Sequence, residues 1–461
     1  MIPFQFIGPA YTGRSENYSS QRTVNMYLEP GKGKAPGLLI GTPGLTAPWA
    51  TLTGGGVRGM LLFNVSTAIM VCGTKVFALT TAGVSTQIGT IADDGRPVQM
   101  ASNGTTVAIA SANVLYSVTP TGTAETYIRS DVSSVDFIDG YFTITETSTG
   151  RFYVSGQYAT TIDPLDFATA EGLPDNLLNH VVSRRQVYLY GTQSVEQWYN
   201  SGNTDFPLSR IDGAFVEIGI VAKDSLAELD NPFWLGGDDK GAGAVWTMNG
   251  GTPQRISTPA IEYAIAQWPD MSDAEAFCYS QEGHSFYVLS SASGNETWVF
   301  DVTTNEWHQR AYLHASGDLH RIRPRCHLYF GGKNLVGDWE NGNVYEYDLS
   351  TYSDNGNPLP AIRACGTVQS NMDNQPVASL RLDIDAGVGL TTGQGSDPQA
   401  MLRWSKDGGK TWSNALWRTM GRIGEYARRC IWRRVGGGER MVFEVTITDP
   451  VKRNITGAYL E

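Results

Sequence analysis

The sequence lacks paired cysteines, a long apolar run and any cluster of acid, base and nucleophile. Its five cysteines, Cys72, Cys278, Cys326, Cys365 and Cys430, are scattered over 461 residues and never form a C-x-x-C pair. An odd, dispersed set argues against a disulfide framework or a zinc module and fits a reducing compartment. The start, MIPFQFIGPAYTGRS, has no basic stretch followed by an apolar one, so a secretory leader is not expected. The longest apolar run, GMLLFNVSTAIMVC, is broken by Asn and Ser and is too short to cross a bilayer. The expectation is a soluble chain made in a cytosol, with no membrane insertion.

Charged residues are also sparse, at 17%, whereas 52 Gly, 21 Tyr and 12 Trp are abundant. Glycines serve tight turns and aromatics suit pleated, half-buried surfaces, so the composition points to an all-β chain. The length predicts two or three domains. A net charge of −12 disfavours general adhesion to nucleic acid. The charge is uneven, however: residues 401–440 carry ten Arg or Lys against three acids. Within that run Arg422, Arg428, Arg429, Arg433 and Arg434 form a candidate basic patch for a subunit interface, with a solvated strand face as the simpler reading.

A hairpin recurs along the chain. Apolar strands flank turns near Val65, Asn103-Gly104, Asp139-Gly140, Arg184, Asp230-Asn231, Glu282-Gly283 and Gly331-Gly332. Asn-Gly, Asp-Gly and Gly-Gly supply the positive φ that two-residue hairpins require. The spacing is that of propeller blades, and a ring of sheets covers both faces of each sheet and leaves only short edges. The predicted architecture is a β-propeller over 46–355, with seven blades counted and six as the alternative. A large β-sandwich is the competing fold. In STPAIEYAIAQW, Thr258 caps a helix begun by Pro259, with Ile261, Ala264, Ile265 and Trp268 on one face. Residues 1–45 lack the hairpin pattern and read as an extended N-terminal arm that orders by packing on something else. Residues 356–461 read as a C-terminal, sandwich-like β domain.

That last domain contains one Asp-box, WSKDGGKTW, with Ser405, Asp407, Gly409, Thr411 and Trp412 at its defining positions. Asp-boxes recur in sialidase-type propellers, yet here the motif occurs once and outside the repeats. Its Asp and Ser are suited to bonding backbone N–H groups of a turn, and its Trp to packing on the sheet. The nearest match to a sialidase's arginine element, HRIRPR at 320–325, has an extra arginine. The six histidines, His180, His284, His308, His314, His320 and His327, show no metal-ligand spacing. GGDDKG at 236–241 and SDPQ at 396–399 are the only candidate Ca²⁺ loops, and neither has EF-hand spacing. No phosphate loop, nucleophile elbow or dinucleotide fingerprint occurs. The chain is therefore expected to be no enzyme and to need no cofactor or metal.

Four segments carry a family resemblance: RTVNMYLEPGKGKAPGLLIGTPGL; FPLSRIDGAFVEIGIVAKDS with WLGGDDKGAGAVW and TPQRISTPAIEYAI; TWVFDVTTNEWHQR; and the stretch from GQGSDPQAMLRWSKDGGKTW to RMVFEVTITDPV. In this order they resemble the packaged-DNA stabilisation proteins, or tail hub (nozzle) components, of short-tailed (podoviral) bacteriophages. The resemblance implies a structural virion protein of the phage tail, made in the host bacterial cytoplasm. It implies a homo-hexameric ring below the portal and its adaptor ring. Such a ring closes the DNA exit channel, stabilises packaged double-stranded DNA without sequence-specific contact, and supports tail fibres, spikes or a needle. The alternative is a glycan-binding or sialidase-like propeller in a receptor-contacting tail component.

Overall fold

The computed structural model describes residues 2–15, 19–31, 37–121, 126–238, 241–369 and 373–461. Among them, Val57–Asn64, Thr67–Cys72, Lys75–Thr80 and Ser85–Thr90 pair in chain order as a four-stranded antiparallel sheet. Its second strand, TAIMVC, shows how these sheets assemble. Ile69 and Val71 join one apolar cluster, whereas Ala68, Met70 and Cys72 join another on the opposite face. Successive strand side chains point to opposite faces, so an apolar residue at every place demands a cover on both sides.

Further sheets of the same kind begin at Gln99, Val132, Leu177, Gly219, Glu275 and Pro324. Seven apolar clusters separate seven sheets, one per interface, and the seventh sheet packs back on the first. The described residues thus form a seven-bladed β-propeller. Blade seven has three consecutive strands, Pro324–Phe330, Lys333–Asp338 and Asn343–Asp348. Its outer edge is covered by Gly44–Leu45 and Ala50–Thr51 from the start of the chain, which closes the ring. In blade five the first strand is split into Gly219–Ile220 and Ala227–Glu228 by a 3-10 turn at Lys223–Ser225. The helix forms at Pro259–Ile265, with the Thr258 hydroxyl accepting from Ile261 N–H. It buries Ile261 and Ile265 with Trp268 between blades five and six.

Two further sheets make a sandwich. Met26–Pro30, Gly37–Gly41, Ile455–Leu460, Gln375–Ile384 and Cys430–Gly438 form one, with Ile2–Phe4 on Ile455–Leu460. Ser20–Val24, Ala361–Ala364, Val442–Ile447, Gln399–Ser405 and Leu416–Thr419 form the other. Leu39, Leu380, Leu402, Trp432 and Phe443 fill the space between them. The second sheet is continuous with blade six, because Ser20–Val24 lies parallel to Glu306–Arg310 at Val24 and Gln309.

The described residues among the first 45 are therefore extended, but they pack on their own chain. They give strands to both sandwich sheets and to blade seven. The buried Arg363 fixes this segment. Its guanidinium donates to Phe6 O (2.7 Å), Pro9 O (2.8 Å), Thr23 Oγ1 (2.7 Å) and Gln21 Oε1 (2.9 Å). All four acceptors are neutral, and burial pulls its pKa down to about 10.

Candidate functional site

The Asp-box occupies the turn between Gln399–Ser405 and Leu416–Thr419, which pair antiparallel. Ser405 Oγ donates to Asp407 Oδ1 (2.6 Å) and accepts from Gly409 N–H (2.8 Å). Asp407 Oδ1 also accepts from the N–H groups of Lys410 (3.1 Å) and Thr411 (2.9 Å), and Oδ2 accepts from the Thr411 hydroxyl (2.6 Å). Hydrogen bonds from Ser405 and then Thr411 hold the Asp407 carboxyl well below the usual range. Trp412 packs against the sandwich core, with the Arg403 guanidinium 4.7 Å from its ring centre. Both carboxylate oxygens are engaged within the turn itself, and a carboxylate so occupied is poorly placed to transfer protons.

A second polar constellation lies on the propeller axis. Buried Arg58 donates to Arg96 O (2.7 Å), Ala92 O (3.1 Å), Gly73 O (3.2 Å) and Asp94 Oδ1 (2.6 Å). It thereby sets the loop between blades one and two. From that loop Arg96 reaches Asp224 Oδ2 (2.9 Å) in blade five and Ser272 O (2.8 Å) beyond it. Gln99 of blade two bonds Asn179 of blade four (2.7 Å), which bonds Lys223 O (2.7 Å). In a seven-membered ring such contacts cross the axis, so side chains cross the shaft at this end. On the inner wall, buried His180 bonds Thr143 Oγ1 (2.8 Å), and burial holds its pKa down at about 3. Asp136 accepts from Phe137 N–H (2.8 Å) and Val182 N–H (2.7 Å), and burial pushes its carboxyl up to about 7. Sequence reasoning missed this network, since its partners are up to 176 residues apart.

The basic run lies at the sandwich edge farthest from the propeller. Leu416–Thr419 ends one sheet, Cys430–Gly438 ends the other, and loop 421–429 joins them. Arg422, Arg428, Arg429, Arg433 and Arg434 are all exposed there. The loop is set on residues 387–396, with Gly424 N–H donating to Gly387 O (3.2 Å). Arg422 has a carboxylate within ion-pair distance, Asp397 at 3.6 Å.

Other candidates do not converge. The arginines of HRIRPR are engaged in ion pairs: Arg321 and Arg325 reach Glu275 of blade six at 2.8 and 2.9 Å, and Arg323 pairs with Glu340 of blade seven at 2.7 Å. His284 pairs with Asp301, and His314 stacks on His320 with ring centres 4.4 Å apart. Among the described residues no group of three or more His, Cys, Asp or Glu side chains is placed to hold a metal ion. In the GGDDKG loop, Asp239 and Lys240 lie outside the described residues. In SDPQ, Asp397 accepts from the Thr419 hydroxyl at 2.6 Å. No described helix is long and apolar enough to cross a membrane, which says nothing of β-barrels.

The described residues thus combine a closed propeller with an edge-exposed sandwich, and the Asp-box carboxylate and the axial polar groups are hydrogen-bonded within the chain. Two family models match the chain: "Bacteriophage P22 Gp10, beta-propeller" over residues 2–352, and "Bacteriophage P22 Gp10, beta-sandwich" over 363–461. The chain belongs to the P22 Gp10 family of bacteriophage structural tail proteins, and so to the virion. None of the curated proteins compared matches the chain. Similar solved structures include the N-terminal domain of Nup159, at 11% identity and TM-score 0.40, covering 70% of this chain and 98% of that one. The extracellular domain of the putative hybrid two-component system BT4673 from B. thetaiotaomicron matches at 9% identity and TM-score 0.45, covering 81% of this chain and 47% of that one. Both likenesses are too distant to carry an argument about function.

Proposed function

We propose that this protein forms a homo-hexameric hub, or nozzle, ring below the portal and its adaptor ring. Made in the host bacterial cytoplasm, the ring closes the DNA exit channel after packaging and supports tail fibres, spikes or a needle. It performs no catalysis. The observation that carries this reading is the pair of family matches, which together take in both the propeller and the sandwich. The fold adds a physical constraint. A DNA duplex is far wider than a shaft crossed by the Arg96 guanidinium and the Gln99–Asn179 bond, so the DNA path runs between copies of the chain. A net charge of −12 suits a wall that lets phosphates slide past.

The domain assignment belongs to the same proposal: a propeller over 46–355, a sandwich over 356–461, and a leading segment, 1–45, that ties them together. The Asp-box serves as a turn lock, and the exposed arginines serve as an interface. Phage lacking this chain are expected to package DNA and then lose it. Mutant particles that kept a full genome would overturn the reading.

A further inference from the structure

Two exposed apolar patches of opposite electrical character lie at opposite ends of the molecule. At the far sandwich edge, Trp417 is 53% exposed and Tyr426 76% exposed, with Ile423 beside them and Arg428, Arg429 and Arg433 around them. Exposed Trp, Tyr and Arg together are the residues that dominate interface energetics. The other patch is on blade three. Leu165 is 82% exposed and Tyr158 65% exposed, with Phe167 also exposed on the outermost strand, Phe167–Thr169. Asp163 and Asp166 flank them, and the stretch from Asp163 to Asp175 holds four acids and no Lys or Arg. Arg151 lies 5.0 Å from the Phe167 ring centre, and Arg129 3.7 Å from the ring of Tyr153, which packs against Phe167 at 5.7 Å.

The sandwich continues blade six, and blade three lies across the ring from it. One molecule therefore cannot bring its own two patches together. We infer that the Trp417–Tyr426 edge of one copy docks on the Leu165–Phe167 corner of the next, head to tail. The occupant of each patch is a second copy of this chain, because the acidic apolar corner that the basic aromatic edge requires is present on the chain itself. A heterologous contact of this kind closes into a ring when its rotation permits. The inference rests on the ring reading and assigns the surfaces that make it.

Two full-length variants test the contact: Arg428→Glu/Arg429→Glu, and Asp163→Lys/Asp166→Lys. Masses are read by native mass spectrometry, with circular dichroism melts checking that each variant folds. Wild type is expected to give closed rings. Each variant alone is expected to be monomeric, its self-association weakened at least ~100-fold by like charges in contact. Mixed together, the charge-reversed edge of the first variant meets the charge-reversed corner of the second. The native edge of the second likewise meets the native corner of the first, so the mixture is expected to form rings in which the two variants alternate. Combining all four substitutions in one chain restores the ring.

If either variant alone still forms rings, the arginines merely protect two edge strands from pairing, and the contact is wrong while the ring stands. If both variants are monomeric but the mixture gives no mixed rings, the two patches meet other surfaces and the assignment falls. A wild-type chain that stays monomeric overturns the ring and this contact together.

Discussion

Asp407 uses both carboxylate oxygens on its own turn, so its charge is a local tether. Asp407→Ala is expected to cost roughly 1–2 kcal/mol, the scale of losing a few partly solvated hydrogen bonds, read as a lower midpoint of sandwich unfolding. An unchanged midpoint would show that the turn holds without them. Two inner-wall residues make predictions of opposite sign with pH. Burial holds His180 at about 3, below its unfolded value of roughly 6.5, so the unfolded chain takes up a proton that the folded one refuses. Its contribution to stability is therefore lost as pH falls from about 6.5 towards 3. His180→Gln is expected to gain on wild type over that window. Burial raises Asp136 to about 7, so the folded chain keeps a proton that the unfolded one gives up. Wild type gains as pH falls from about 7 to 4, and Asp136→Asn should lose ground. Melting temperatures of the three proteins from pH 4 to 8 check both signs.

At the scale of elements, the leading segment is the part whose role depends on partners far along the chain. Arg363→Met leaves four neutral acceptors without their donor and is expected to cost roughly 2–4 kcal/mol. Limited proteolysis should then cut within residues 6–23 well before the propeller, and simultaneous cleavage throughout would contradict that. The same residues show what the sequence made legible. Seven hairpin turns could be placed from local chemistry, such as Asn103-Gly104 and Asp139-Gly140, where Gly104 and Gly140 adopt φ of 88° and 101°. The helix was legible from Thr258, Pro259 and its apolar face. Blade three was hard to see because residues 155–166 separate its last two strands, Arg151–Val154 and Phe167–Thr169, and break the repeat. Arg363 gave no signal, since its partners lie 340 to 357 residues away. The Asp-box was readable because every bond it makes is local. The apolar members of the basic patch, Trp417 and Tyr426, were not, because only the fold shows them to be exposed.

At the scale of the whole molecule, the propeller is a closed body whose axis is crossed by polar side chains. Arg96→Ala removes the bridge to Asp224 and Ser272, yet it is expected to leave DNA retention in phage particles unchanged, because the DNA path we propose runs outside the propeller. Particles that leak DNA while the variant remains folded would place the path through the shaft. The central claim is that copies of this chain form a ring around the exit channel. Electron microscopy of the intact phage tail tests it most directly. The account predicts six propeller-and-sandwich copies in a closed ring below the adaptor, with the DNA channel between them. Density placing single copies at fibre tips, or none of the chain at the channel, would contradict it.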